Sequence, residues 1–340
     1  MQHRFVILGC GHIGKKHASL AARYGKLVAV ADSNQEKADI LARIWNVPAY
    51  SSLTQMLLET KPDIVVVCSP NGFHAEHSIE ALQSGAHVLC EKPMAICTKD
   101  ADAMIEASRL SNKRLFVVKQ NRFNPPVEWV KNLLNQGRLG KLHSFQLNAF
   151  WNRSDVYFQQ SDWRGTLKLD GGILFTQFSH FIDLLYWYLG DLKKIHYVNA
   201  ENRQHRKCIE FEDQGIAVLE FVSGVRGTVQ YSINSYDHNM EGSISLFGER
   251  GTVKVGGTYL NRIEYLAIEG IEPPEFPAFS ANQYEGYQGS SSQHHFVYEA
   301  MLRSLSDADY SFLAPEEARQ SVQIIEAIYS QMGNRRDWHE

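Results

Sequence analysis

The sequence predicts an α/β chain in two parts. A doubly wound parallel sheet comes first, followed by an α+β domain with a large, mainly antiparallel, open-faced sheet. Three observations predict it. Residues 1 to about 120 alternate apolar runs with helix-like stretches, the pattern of parallel strands joined by helical crossovers. The first apolar run, Phe5 to Leu8, leads into Gly9, Gly11 and Gly14, a spacing that suits a sharp strand-to-helix turn. From Leu142 onward long strands dominate, with turn signals at Ser223-Gly224 and Glu249-Arg250-Gly251. A chain of 340 residues fits two domains, expected at 1–121 and 122–340.

The elements follow in order. A helix runs from the glycines to Tyr24, and Leu27 to Ala31 is the second strand, ending at Asp32. Asn34 can cap a helix to about Trp45, which Asn46-Val47-Pro48 ends. Ser51 or Ser52 opens a short helix to Glu59. Asp63 to Cys68 has nothing polar after its first residue, as a strand covered on both faces requires. Helices at Phe73 to Gln83 and Thr98 to Ser111 alternate with strands at Ala86 to Cys90 and Leu115 to Val118. Pro125-Pro126 opens a helix to about Gln136. Strands are expected at 142–151, 194–202, 215–221, 225–233, 243–247, 252–255 and 259–268, with one helix at about 171–189. Glu269 to Ser292 is rich in Pro, Gly and Ser and reads as loop, and helices at about 293–306 and 315–331 finish the chain.

The glycine run carries the first chemistry. Gly9 permits the turn, Gly11 lets a pyrophosphate approach the backbone, and Gly14 lets the helix pack on the strand. His12 and Ile13 then form the first helical turn, whose N-terminus faces the phosphates. Asp32 lies 18 residues past Gly14, where a carboxylate would accept hydrogen bonds from an adenosine ribose. Its charge would repel a 2′-phosphate, so the expected cofactor is NAD. A tight turn with no ligand is the alternative. Ser69-Pro70-Asn71 and Glu91-Lys92-Pro93 sit past two later strands, on the sheet edge where such a cofactor lies. Lys92 is there either to move a proton near the nicotinamide or as an ordinary loop lysine.

Bulk composition excludes other classes. A net charge of −4 gives no sign of a nucleic-acid or membrane partner. The longest apolar tract, Ile173 to Gly190, contains Gln177, Ser179, His180 and Asp183 and reads as a core helix. The chain enters its first strand directly, without a leader, and its five cysteines form no C-x-x-C pair, so no metal site and a reducing, cytoplasmic setting are expected. In that core helix Thr176, His180, Asp183 and Trp187 would share one stripe. His180 is then either a proton-handling group in a cleft, charged or oriented by Asp183, or a hydrogen-bonded core histidine.

With these segments in view, the chain resembles the Gfo/Idh/MocA oxidoreductases. The resemblance rests on the glycine run, on Ser69-Pro70-Asn71 with His74, and on Glu91-Lys92-Pro93. It also rests on Gly171-Gly172 with His180 and Asp183, and on Pro315-Glu316-Glu317-Ala318. It implies a Rossmann domain and hydride transfer between a sugar carbinol and NAD, with Lys92 and His180 flanking the reacting carbon. It implies that Thr176 stands where many members carry an aspartate, which leaves Thr176 a hydrogen-bonding role, and that Phe178 replaces a common glycine. Asn71, His74 and Trp163 are implied beside the cofactor. Asn121, Arg122, Arg164 and Asp183 are implied on the substrate side. The segments Asn121 to Pro126, Ser161 to Gly165 and Gln288 to His295 are similar to a branch acting on nucleotide sugars. That branch implies UDP-N-acetylglucosaminuronate, oxidised at C3, as substrate. A free sugar or inositol dehydrogenase, or a non-catalytic NAD- and sugar-binding sensor, are the alternatives. Family members pair through the open sheet, which implies a homodimer or homotetramer.

Overall fold

In a computed structural model, described for residues 2–284, 287–307, 309–310 and 312–332, the chain forms two compact units. The first holds the residues up to Val118 together with His294–Val322. The second holds Lys119–Gln293 and the described residues from Gln323 to Met332.

In the first unit the elements are β1 (Arg4–Leu8), α1 (His12–Tyr24), β2 (Lys26–Ala31), α2 (Gln35–Trp45), β3 (Ala49–Tyr50), α3 (Leu53–Thr60), β4 (Ile64–Val67), α4 (His74–Gln83), β5 (His87–Cys90), α5 (Thr98–Ser111) and β6 (Leu115–Val117). The sheet order is β3-β2-β1-β4-β5-β6, and every pairing is parallel. The order reverses between β1 and β4, the switch point at whose carboxyl edge open α/β sheets bind their ligands. All four residues of β4 are fully buried, as the apolar run requires. Asn34 caps α2 through its side chain, and Asn46 ends that helix in the left-handed conformation at φ +51°.

The second unit holds α6 (Pro125–Asn135), β7 (Leu142–Phe150), α7 (Asp155–Gln159), α8 (Ile173–Thr176), α9 (Ser179–Leu189), β8 (Leu192–Glu201), β9 (Gln214–Phe221), β10 (Arg226–Ser232), β11 (Glu241–Gly248), β12 (Gly251–Gly256), β13 (Arg262–Ile268), β14 (Ala281–Tyr284) and β15 (Tyr287–Ser291). Its main sheet runs β13-β12-β11-β7-β10-β9-β8, antiparallel throughout except that β7 and β10 are parallel. One face of that sheet buries Phe145, Leu147, Leu219, Val229, Tyr231 and Leu246. Helices α10 (His294–Ser306) and α11 (Pro315–Gln331) follow. Among the described residues no helix is long and apolar enough to cross a membrane.

Three expectations need correction. The single helix at 171–189 is two helices, broken at Gln177 and Phe178. Phe178 leaves helical geometry at φ −114°, ψ 5° and packs its ring against Trp151 and Phe181. The expected loop at 269–292 contains the β14–β15 hairpin. His294–Val322 belongs with the first unit rather than with 122–293, because α10 sets His294 and Tyr298 against Glu91 and His17.

Candidate active site

The glycine loop of the first unit separates two demands. A Cβ on Gly14 would lie 1.8 Å from the Gly9 carbonyl oxygen, and one on Gly9, at φ +97°, 2.5 Å from the Cys68 carbonyl oxygen. Packing alone therefore dictates these two glycines. A Cβ on Gly11 would meet nothing within 4 Å. Gly11, at the N-cap of α1, therefore leaves an open cradle at the start of that helix. His12 is exposed and Ile13 half-buried in that first turn. The Asp32 carboxylate accepts from the Cys10 N–H at 2.7 Å and the Asn34 N–H at 2.9 Å. Each oxygen keeps a lone pair for a ribose hydroxyl. These residues fit a dinucleotide.

The next two loops are braced together. Asn71 is buried in the single turn that follows β4. His74 directs Nδ1 to the Pro93 carbonyl oxygen at 2.6 Å and Nε2 to that of Ser69 at 2.9 Å. Burial pushes its pKa down against the pull of these two carbonyls. His74, expected beside the cofactor, thus spends its ring on the backbone, while Pro70 stays half-buried in the loop.

Glu91 departs further from expectation, because its carboxylate turns into the unit. Oε1 accepts from His17 Nε2 at 2.8 Å, and His294 Nε2 lies 3.5 Å away. Oε2 accepts the Lys92 N–H at 2.9 Å, which fixes the backbone of the lysine. Burial alone would raise the Glu91 carboxyl, but the two imidazoles hold it well below the carboxylate range. Burial pushes His294 down to about 4. The ligand atoms of His17, Glu91 and His294 lie within 4.8 Å of one another, a His₂Glu set of a type that zinc uses. The 2.8 Å contact is a hydrogen-bond spacing, and His17 Nδ1 meets the Tyr298 hydroxyl at 3.0 Å. Lys92 itself is half-buried.

In the second unit the chain passes Val118 into Lys119, Gln120, Asn121 and Arg122, all buried. His180, near the start of α9, faces this turn, and the Gln120 carboxamide nitrogen donates to its Nε2 at 3.0 Å. One turn on, Asp183 receives Arg122 through Nε at 2.8 Å and Nη2 at 3.0 Å, and Lys119 Nζ at 3.1 Å. Burial would raise the Asp183 carboxyl, but the charges of Arg122 and Lys119 hold it down at about 2. Arg122 and Asp183, both expected to meet substrate, are therefore locked into a buried, bidentate ion pair. Asn121 accepts from the Ser290 hydroxyl at 2.7 Å, which ties the turn to β15.

Thr176 does not share a helix with His180. Its hydroxyl donates to the Asp170 carboxylate, which also accepts the Gly165 N–H at 2.8 Å. Arg164 lies 4.1 Å over the Tyr157 ring, and the neighbouring Trp163 is half-buried. The residues that sequence reading missed are His17, Lys119, Gln120 and Arg153. The one available signal was a polar residue inside or beside an apolar stretch, and it names no partner.

Residues 3–119 match the family model of an oxidoreductase with an NAD-binding Rossmann fold, and residues 127–254 match the GFO/IDH/MocA C-terminal domain. The chain is similar to the WlbA dehydrogenase from Bordetella pertussis, solved in complex with NADH and UDP-GlcNAcA. The identity is 33%, the TM-score 0.87, and the match covers 97% of this chain and 96% of that one. D-glucoside 3-dehydrogenase of Escherichia coli is 31% identical over 240 residues, which is 67% of this chain but only 66% of that protein. Myo-inositol 2-dehydrogenase of Thermotoga maritima is 24% identical over 259 residues, 74% of each chain. The open cradle at Gly11, the all-parallel sheet beneath it and the two matched domains place this chain in the Gfo/Idh/MocA family of NAD-dependent oxidoreductases.

Proposed function

We propose that the chain is a dehydrogenase that oxidises a ring carbinol of a nucleotide-linked sugar such as UDP-N-acetylglucosaminuronate, at C3. The observation that carries the substrate is the near-full-length likeness to a dehydrogenase solved with NADH and UDP-GlcNAcA. NAD supplies the hydride acceptor, held by Gly9, Gly11, Gly14 and Asp32.

Lys92 and His180 take the hydroxyl proton between them. The carboxylate of Glu91 accepts the Lys92 N–H and so braces the backbone that carries the lysine. Gln120 serves His180 in both protonation states. Its N–H bonds the unprotonated Nε2, and its carbonyl oxygen, buried without a partner among the described residues, can turn onto a protonated one. Thr176 cannot ionise and is occupied by Asp170, so it takes no proton. The five free thiols, three of them buried, support a cytoplasmic setting. The likeness to D-glucoside and myo-inositol dehydrogenases favours, as a second reading, a free sugar as substrate.

The test is NADH formation from NAD with UDP-N-acetylglucosaminuronate, UDP-N-acetylglucosamine, myo-inositol and free hexoses. Turnover of the uronate is expected to dominate. Lys92→Ala should lower kcat by roughly 10²–10⁴-fold while leaving NADH affinity unchanged. Turnover of inositol or a hexose alone would discard the nucleotide-sugar substrate. Silence on every sugar, with NADH bound, would favour a sensor.

A further inference from the structure

Two arginines of the second unit carry positive charge with no acid to meet it among the described residues. Arg153 is 2% exposed. Its Nε donates to Gln177 Oε1 at 2.8 Å, and its Nη1 donates to the Asn152 carbonyl at 2.5 Å and to Asn239 Oδ1 at 3.2 Å. Arg164 donates through Nη1 to the Tyr157 carbonyl at 2.9 Å and to Gln160 Oε1 at 3.1 Å, and through Nη2 to the Tyr287 hydroxyl at 3.4 Å. Its Nε is buried without a partner among the described residues. Both guanidinium groups lie against the same two rings. Arg153 is 5.3 Å from the Tyr157 centroid and 5.0 Å from that of Tyr287, and Arg164 is 4.1 and 5.6 Å from them.

Every hydrogen-bond acceptor in this set is neutral. Among the described residues neither arginine lies within ion-pair distance of a carboxylate, whereas the buried Lys119 and Arg122 share Asp183. Burial lowers the pKa of Arg153, and the charge of Arg164 lowers it further. Two like charges against the same two rings, that of Arg153 buried and that of Arg164 half-buried, raise the energy of the unit, and an arriving anion would relieve it. Guanidinium forks match carboxylate and phosphate geometry. The pair is also wired to the proposed proton-handling segment. Gln177 accepts from Arg153, donates to the Tyr157 hydroxyl at 2.8 Å, and stands three residues before His180.

We propose that Arg153 and Arg164, framed by Tyr157 and Tyr287, are a receptor for an anionic group of the substrate, a carboxylate or a phosphate. The receptor deepens the dehydrogenase reading above and rests on it. It moves the recognition of charge away from Arg122, whose fork is closed on Asp183.

The test is calorimetric titration of the NADH-loaded protein with UDP-N-acetylglucosaminuronate and with UDP-N-acetylglucosamine. Arg164→Gln is expected to weaken the uronate by about 10- to 100-fold. Arg164→Lys, which keeps the charge, is expected to recover much of that loss, which a merely structural role for Arg164 would not produce. Arg153→Lys serves the buried position, where removal of the charge together with the stem endangers the fold. NADH affinity of each variant and the melting temperature of the two Arg164 variants are expected to stay at the parent values, while Arg153→Lys is expected to melt somewhat lower because it gives up the bonds to Gln177 and Asn239. A loss confined to the uronate assigns a carboxylate, and equal losses on both ligands, recovered by lysine, assign the diphosphate. Unchanged affinity for both ligands in Arg164→Gln overturns the receptor. If the parent protein binds neither nucleotide sugar, the substrate proposed above fails. The receptor is then judged by glucuronate against glucose in NADH formation. A tenfold or greater preference for the acid upholds it, and no preference overturns it.

Discussion

Gly11 and Gly14 lie three residues apart and answer to different neighbours. A methyl group on Gly14 would collide with the Gly9 carbonyl, whereas one on Gly11 would stand in open space at φ −71°, which alanine adopts without strain. Gly14→Ala is therefore expected to destabilise the first unit, seen as a lower melting temperature. Gly11→Ala is expected to leave that temperature within a degree or two of the parent and to weaken NADH by about tenfold or more, because the methyl occupies the pyrophosphate path. Fluorescence titration with NADH beside a thermal melt reads both. Equal affinity in Gly11→Ala would remove the open cradle from the cofactor site. At this scale the sequence was legible where one residue type has a single use. Gly9 and Gly14 were readable because a sharp strand-to-helix turn leaves no room for a Cβ at either position. Arg122 and Asp183 were not. They stand 61 residues apart, and no pattern along the chain says that one will consume the other. The same holds for Glu91, whose partners His17 and His294 come from opposite ends of the sequence.

Elements were legible where their period was clean. Five of the six parallel strands of the first unit lie where apolar runs put them, since burial on both faces leaves no room for alternation, whereas β3, two residues long, is too short to leave a pattern. The break between α8 and α9 was hidden, because Ile173 to Leu189 stays apolar through it and periodicity cannot register a single residue leaving helical geometry. The β14–β15 hairpin was hidden for the opposite reason, since its serines and glycine match loop composition. The cluster that joins α1, α10 and the end of β5 carries a pH prediction. His294 has a folded pKa of about 4, below its ordinary 6.5, so protonation favours unfolding. Its neutral form contributes fully above pH 6.5, and the contribution falls progressively from there to about pH 4, by roughly 3 kcal/mol in all. The depressed Glu91 carboxyl adds a loss at still lower pH. Melting temperature is expected to drop between pH 7 and pH 5. In His294→Asn it should begin lower at pH 7, with the Glu91 contact gone, and show a shallower drop. A drop as steep as the parent's would assign the acid sensitivity elsewhere.

On the scale of the whole molecule, the second unit presents a broad sheet with one covered face. The other face carries Gln146 and Asn148 on β7, Ile216 and Val218 on β9, Thr228 and Gln230 on β10, Ser245 on β11, and Lys254 on β12 opposite Tyr265 on β13. The register sets these residues side by side across the strands. Tyr197, Phe247 and Tyr265 are exposed. Acids along the face are already neutralised. Glu220 is met by Lys193, His196 and Arg226, and Lys254 bridges Glu241 and Glu264. A face of small, polar and aromatic groups with internally balanced charge can approach its own copy without repulsion. Seven strands of 6 to 10 residues present a flat area of roughly 700 Å², close to the 800 Å² or so that each partner of a stable interface contributes. The chain is therefore expected to sediment as a dimer, or as a tetramer built from such dimers. Val218→Arg places an unmatched charge at the middle of β9 on this face and should shift the protein to smaller species without lowering its melting temperature by more than a few degrees, because the inward residues of the strand are untouched. A parent protein that sediments only as monomer, or a Val218→Arg variant whose mass is unchanged, would show that this face is left to solvent or that the copies meet elsewhere.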